Sequence, residues 1–396
     1  MSYKLESLIA PYTIEEFFQH YYEKEYFYIS RHDENYYNGI LNTQDIDLFF
    51  QNQSLQTSGL RVCNKGGEIP ASQWRRGLSQ IADNDKLFVL LNQGNTLIIN
   101  SGNSSIIKLI NYCHVLENEL NFRLQSNIYI TPPDAQGFAY HYDDHDVFIM
   151  QTTGTKTWRL YHSPIEIPTK KQNHAKFMKG KYELGEPTFE QEIKPGDLLY
   201  IPRGLVHDAV TTDQASVHIT LGLHPSYRFE LLQEIVNLAQ DNLLFRKAIP
   251  NPFTPEYQKK AFKAEFKQLC HDFIDNVDIG SLLETKFDNF LASQTSEDQN
   301  RFFDSIQVHK LNLNSVLSRR ENIVYKLEKD DEEIHVKFYR KTLDFPLFTE
   351  FSLQTLLKED SFAVKDIGGL ISENGKIELA TKFVREGLLR IEKIND

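Results

Sequence analysis

His141-Tyr142-Asp143 sets an imidazole and a carboxylate two residues apart. On an extended strand, residues i and i+2 project to the same face, so this pair can offer a nitrogen and an oxygen to one point. A third donor stands at His207, at the end of Leu199-Tyr200-Ile201-Pro202-Arg203-Gly204-Leu205-Val206-His207. Two histidines and one carboxylate on one face of a metal ion leave three positions open. That set suits non-haem Fe(II), which has to accept both a co-substrate and O₂. H-x-D alone is a weak signal, since a strand histidine is usually packed or solvated. Its surroundings add weight. Pro195-Gly196-Asp197, then Ile201-Pro202, then His207 read as a strand–turn–strand that returns a histidine into a barrel. The interval from His141 to His207 has room for the roughly four strands that closing such a barrel requires.

Lys156 follows 13 residues after Asp143, in Gly154-Thr155-Lys156-Thr157-Trp158. A lysine pointing into a barrel is costly unless an anion meets it. A dicarboxylate chelating the metal at one end would supply that anion at the other. The plain alternative is a surface lysine beside a turn.

These residues need strands to carry them, and the segment from about 127 to 223 has the right character. Short β-like runs recur at Asn127–Thr131, His141–Gln151, Thr157–Tyr161, Asp197–Ile201 and Ala215–Leu223. Gly154, Pro195-Gly196 and Pro202-Arg203-Gly204 punctuate them. Many short strands at close spacing favour a barrel or sandwich. The first ~120 residues mix helices and strands. Thr13-Ile14-Glu15-Glu16 has the form of a capping box and predicts a helix to about Tyr22. Tyr26–Ile29 reads as a strand. Asn42-Thr43-Gln44-Asp45 opens a second helix with Ile46, Phe49 and Phe50 at helical spacing. After Pro225 the pattern turns helical. Leu231, Ile235 and Leu238 lead, a second helix runs to about Phe273, and a third spans Leu282–Leu291. Three helices bury little by themselves, so they are expected to pack on a partner or across a dimer. The last ~95 residues read as a separate α+β unit. A hairpin of Val324–Leu327 and Ile334–Tyr339 turns at Asp330–Glu333, and helices follow at Phe351–Leu357 and Ile377–Leu389.

Composition bounds the rest. The chain has 396 residues and 46.1 kDa, which at roughly 100–200 residues per domain predicts two or three domains. Its 27 Phe and 19 Tyr fit a large β-rich core. A formal net charge of −12 argues against a general nucleic-acid-binding surface. No apolar run approaches the ~20 residues needed to span a bilayer, and the first residues lack the apolar stretch of a signal peptide. Cys63, Cys113 and Cys270 are odd in number and far apart, which predicts a reducing compartment, the cytoplasm, with neither a disulfide framework nor a thiolate metal site.

Several stretches taken together resemble the JmjC-domain ribosomal oxygenases. They are Asn127-Ile128-Tyr129, the run from Thr131 to Asp144, Val147-Phe148, Gly154 to Tyr161, and Pro195 to His207. Members of that family are cupin-like proteins dependent on Fe(II) and 2-oxoglutarate. The resemblance is strong over the first ~225 residues and looser beyond. It implies an α+β chain in three parts: a JmjC double-stranded β-helix (a cupin-like jelly roll) with flanking helices over residues 1–225, a helical dimerisation region over 226–300, and a winged-helix domain over 301–396. It matches His141, Asp143 and His207 to the iron ligands and Lys156 to the lysine that meets the far carboxylate of 2-oxoglutarate. It matches Asn127 and Tyr129 to a polar pair that helps hold the co-substrate, and their i, i+2 spacing independently puts them on one face. One departure stands out: a serine is expected near Gly222, and no hydroxyl is there. Thr220 shares that face and is expected to compensate.

The remaining polar residues carry plainer expectations. Asp144 and Asp146 should face loops or solvent if the strand is regular. His145 shares the ligand face and is a candidate substrate contact. His162, His218 and His224 read as structural or exposed, and Arg159 as an exterior charge. The implied activity is hydroxylation of a protein side chain, Arg or His, of a ribosomal protein or other peptide, using O₂ and 2-oxoglutarate. Three other readings stay open: an N-methyl demethylase on the same iron chemistry, a metal-binding cupin without catalysis, and a winged-helix DNA-binding protein with a cupin sensor. Residues 301–396 hold 16 Lys/Arg against 17 Asp/Glu, a balance of −1, which disfavours the last. The expected partners are a polypeptide substrate and a second copy of the chain, with neither membrane nor nucleic acid.

Overall fold

The computed structural model describes residues 4–172, 183–294, 301–320 and 323–395. It divides into two compact units, Met1–His224 and Pro225–Asp396. The boundary read at residue 300 lies outside the described residues.

Eleven strands are described in the first unit: β1 (Phe27–Ile29), β2 (Leu60–Asn64), β3 (Gly67–Glu68), β4 (Thr96–Ile99), β5 (Arg123–Thr131), β6 (Asp146–Thr153), β7 (Lys156–Tyr161), β8 (Phe189–Ile193), β9 (Leu198–Ile201), β10 (Val206–Val210) and β11 (Ser216–His224). Eight form one sheet in the order β1-β9-β6-β11-β5-β4-β2-β3, and β10-β7-β8 form a second. β11 is the spine. It pairs antiparallel with β5, Thr220 opposite Asn127, and on its other side with β6, Thr220 opposite Ile149. Every residue of β11 from Ser216 to Leu223 is buried, because both of its faces are covered. Ile219, Leu221 and Leu223 join Phe148, Met150 and Tyr200 in the large core beneath the N-terminal helices. Val147, Ile149, Trp158, Leu160, Leu199 and Ile201 fill the space between the two sheets. This packing is the cupin-like arrangement, with inward residues supplied alternately by each strand.

The turn into β7 depends on one glycine. Gly154 has φ +60°, and a Cβ there would lie 1.8 Å from the carbonyl oxygen of Ala215. No L side chain fits, so the β6–β7 hairpin that delivers Lys156 requires glycine at this point.

The capping box expected at Thr13 forms with Glu16, and the helix expected to open at Asn42 is capped by a second box, with Asp45. Two expectations need correction. The strand read from His141 begins only at Asp146, and His141 itself makes an isolated bridge with His207. The chain bends between them, where the Gly204 N–H donates to the Asp143 carbonyl at 2.9 Å. Asp146 therefore does not face solvent. It is fully buried and accepts from the Tyr200 hydroxyl at 2.6 Å.

The second unit opens with helices Arg228–Leu238, Glu256–Asp275 and Ile279–Ser293. Strands β12 (Val316–Arg319), β13 (Tyr325–Lys329), β14 (Glu333–Phe338), β15 (Lys341–Pro346), β16 (Ser361–Ala363) and β17 (Leu389–Lys393) make two three-stranded sheets, β16-β12-β17 and β13-β14-β15. Helices Glu350–Lys358 and Glu373–Glu386 close a core around Leu317, Val336, Leu353, Leu356 and Phe383. The predicted hairpin is present, with Leu327 opposite Val336.

Candidate metal centre

The two sheets of the first unit face each other, and the inward residues near one end are polar. His141, Asp143 and His207 come together there, each offering one ligand atom, all within 4.8 Å of one another. Their meeting is not the work of a regular strand. The His141–His207 bridge is made by the backbone, with Nα–H to carbonyl distances of 3.0 and 2.7 Å, and it brings the imidazole rings to 4.5 Å. Asp143 Oδ2 lies 3.7 Å from His207 Nε2.

Both imidazoles are oriented in the same way. His141 Nδ1 lies 3.0 Å from the Ala139 carbonyl, and His207 Nδ1 lies 3.0 Å from that of Leu205. A carbonyl only accepts, so Nδ1 carries the proton in each ring and Nε2 presents its lone pair. That is the outer support a metal-binding histidine needs. Burial, followed by the proximity of His207, pushes the His141 imidazole below the ordinary range. It is therefore kept in the neutral form that binds metal. Donor types, mutual distances and outer hydrogen bonds all fit a divalent transition metal with open positions.

Lys156 enters the same cavity from β7. It is 3% exposed and donates to the Thr131 hydroxyl at 3.0 Å. The Thr96 hydroxyl in turn donates to that of Thr131 at 3.1 Å. Among the described residues no carboxylate lies within ion-pair distance of the ammonium, and burial pushes it down to about 8. Tyr129 and Thr220 line the cavity, with Phe138, Trp158 and His218.

The other expected residues fall as follows. Asn127 shares the inward face of β5, but its carboxamide oxygen accepts from the Ser101 N–H at 3.1 Å, and it is not among the lining residues. His145 folds back over Gly222, where a Cβ would lie 2.7 Å from its ring, and stacks on His224 at 4.6 Å. This explains the bare glycine: the place of the expected hydroxyl is filled by an imidazole. Asp144 is half-buried beside His145, at 3.2 Å. Arg159 is half-buried between Glu190 and Asp208. His162 is exposed, whereas His218 is 2% exposed and lines the cavity. The sequence reading did not anticipate that His218, Trp158 and Asp208 line the cavity or that Thr131 holds Lys156. Alternation pointed to two of them: Trp158 is two residues after Lys156, and His218 two before Thr220.

Residues 105–231 match the JmjC domain. A bifunctional lysine-specific demethylase and histidyl-hydroxylase NO66 of Dictyostelium discoideum is 32% identical over 274 residues, 63% of this chain and 49% of the relative. Ribosomal oxygenase 1 of Homo sapiens is 30% identical over 270 residues, 63% of this chain and 39% of the relative. The chain thus spans half or less of the length of these curated relatives. Among solved structures, YcfD of Escherichia coli, a ribosomal oxygenase in complex with cobalt and 2-oxoglutarate, aligns with a TM-score of 0.53 at 15% identity. That alignment covers 97% of this chain and 99% of that one, and establishes a shared fold.

Proposed function

We propose that this chain, with its JmjC domain, is an Fe(II)- and 2-oxoglutarate-dependent oxygenase acting on a side chain of a protein. A ribosomal protein is the first candidate substrate, and Arg or His the residue. The observation that carries the reading is Lys156. A buried ammonium with a hydroxyl and no carboxylate beside it is a site waiting for an anion, and it opens into the cavity that holds His141, Asp143 and His207. A structural lysine would have its counter-ion in the fold.

His141, Asp143 and His207 would hold Fe(II). With 2-oxoglutarate and O₂, that ion supplies the oxidising power to hydroxylate an unactivated C–H bond, giving succinate and CO₂. The rest is the work of the protein. Thr131 fixes the direction of Lys156, which meets the far carboxylate where little water screens the pair. Tyr129 and Thr220 form the walls, and Asn127 stands at the end of the same row. Ala139 and Leu205 hold both imidazoles in the metal-binding tautomer. His145, stacked on His224, is a candidate substrate contact.

The test is succinate formation from 2-oxoglutarate with Fe(II) and O₂, which runs slowly without substrate in this chemistry. Wild type is expected to form succinate. Its absence in protein shown to bind iron would sink the reading. A mass-shift search of ribosomal proteins then seeks an added oxygen, and release of formaldehyde would mark demethylation instead.

We also place the chain in the cytoplasm, given its free cysteines, and as a homodimer through the helices after Pro225. Not one residue of the 20-residue helix Glu256–Asp275 is buried, and Leu232, Val236, Phe266, Ile274 and Leu283 are exposed. Such a face needs a partner. Light scattering at micromolar concentration should report twice the chain mass, and a monomer there would count against this assembly. The two small sheets and three helices described in 301–396 are consistent with a winged-helix domain, which its charge balance of −1 leaves without an electrostatic pull toward nucleic acid.

A further inference from the structure

One turn, Pro202-Arg203-Gly204-Leu205, reaches two members of the metal-binding cluster. The Gly204 N–H donates to the Asp143 carbonyl at 2.9 Å, and the Leu205 carbonyl accepts from His207 Nδ1 at 3.0 Å. A shift of this turn therefore moves both residues together. Close packing limits such a shift on one side. Gly204 has φ +89°, and a Cβ there would lie 2.7 Å from Pro168 Cδ and 2.8 Å from the Ile165 carbonyl oxygen.

Arg203 holds the turn from behind. Its side chain is 6% exposed and pairs with the Glu23 carboxylate, and its guanidinium donates to the Pro168 carbonyl at 3.3 Å. A guanidinium is a flat fork with fixed donor directions, so two anchors set its plane. Glu23 stands 180 positions earlier in the chain. It lies just past the helical segment that ends at Tyr21, with φ +57°. A left-handed residue after a helix is ordinarily glycine or asparagine, and other residues are uncommon there. Such conformations persist where their surroundings over-determine them. Two bonds do so here. One is the pair with Arg203. The other runs from the Glu23 N–H to the Tyr200 hydroxyl at 3.1 Å, and that hydroxyl donates to Asp146 at 2.6 Å. Asp146 ends the bend that carries Asp143. Two routes thus lead from Glu23 to one bend, through Arg203 and Gly204 to Asp143, and through Tyr200 to Asp146.

We propose that Arg203 and Glu23 are positioning residues for the metal centre, their ion pair clamping the 202–205 turn and so setting the placement of Asp143 and His207. This role rests on the iron reading proposed above and adds to it two residues that do not line the cavity.

The test is Co(II) binding to the full chain. Calorimetry gives the affinity, and the visible absorption of the bound ion reports ligand geometry without turnover. Arg203→Ala is expected to weaken Co(II) about tenfold, the low end of the roughly 10–100-fold loss for removing an outer support of a ligand, and to shift the absorption band. Arg203→Lys keeps the charge opposite Glu23 without the fork and should recover part of the loss. Glu23→Gln should weaken Co(II) too, and the double variant with Arg203→Ala should be no weaker than the worse single one, because both act through one clamp. Thr13→Ala removes a helix cap in the same N-terminal segment and serves as the control for general loosening. It should lower the midpoint of unfolding and leave Co(II) affinity within about twofold. Unchanged Co(II) affinity in Arg203→Ala, additive losses in the double variant, or an equal loss in Thr13→Ala would each overturn the proposal. If Arg203→Ala does not fold, Glu23→Gln and Arg203→Lys are compared with Thr13→Ala in the same way. If His207→Ala binds Co(II) as tightly as wild type, the fault lies in the metal reading itself, and the clamp has no ligands to serve.

Discussion

His207→Ala leaves a folded protein that no longer retains iron and forms no detectable succinate. The two halves of this result have separate causes. The hydrogen bonds joining His207 to His141 run from backbone to backbone at 3.0 and 2.7 Å, so alanine keeps them. The imidazole is lost, and with it one of three donors. Removing only an outer support of a metal ligand costs roughly 10–100-fold in affinity, so removing the ligand itself should exceed about a hundredfold. Iron per chain, circular dichroism and succinate yield check the three parts. Normal iron content and succinate in this variant would show that the metal lies elsewhere.

Lys156→Met should abolish useful affinity for 2-oxoglutarate and, at the same time, make the unliganded protein more stable. The affinity loss is expected to exceed about a hundredfold, because a charge-assisted pair in a dry cavity is removed. The stability gain follows from proton linkage. The buried ammonium titrates near 8, against 10.5 for an ordinary lysine. Between those values the unfolded chain binds more protons than the folded one, so stability rises with pH across that window. Below about 8 the folded chain carries the full cost of an enclosed charge, which corresponds to roughly 3 kcal/mol at most. Methionine has similar length and no charge. The midpoint of thermal unfolding should therefore be higher for the variant at pH 7, and the gap should narrow as pH rises past 8. Co-substrate affinity of wild type should fall over the same rise, as the ammonium is lost. A variant less stable than wild type at pH 7 would mean that the lysine has a counter-ion after all.

The sequence was most informative where alternation and turn chemistry act locally. Gly154 and Pro195-Gly196 mark real turns, and Asn127 and Tyr129 do share a face with Thr220 opposite. The cluster of His141, Asp143 and His207 was also within reach, but for a partly mistaken reason. A regular strand through His141 would have turned Asp144 and Asp146 outward. The actual bend, held by the Gly204 N–H, buries Asp146 instead. That hydrogen bond joins residues 61 positions apart, and no local pattern announces it. The position of His218 at the cavity was hidden for the opposite reason. Its pattern was clear, but a histidine on a fully buried strand looks like core until the opposite sheet is known to bring Lys156 and Trp158 against it. The absence of a hydroxyl at Gly222 was visible as a gap, while its occupant, His145, came from a different segment.

The order of strands in the large sheet also sets a timetable. Phe27 pairs with Tyr200 and Ile29 with Leu198, and Asp197 accepts from the Tyr28 hydroxyl and the Arg31 N–H. The edge strand β1 thus leaves the ribosome roughly 170 residues ahead of its partner β9. At about 5–20 residues per second, the interval is roughly 10–35 s. Throughout it, Phe17, Phe27 and their aromatic neighbours have no Tyr200 or Phe148 to pack against. Closing so long a loop is slow even once β9 has emerged. The nascent segment around β1 is therefore a sticky, unpaired strand until β9 has emerged, and a natural client for chaperones that hold such segments apart.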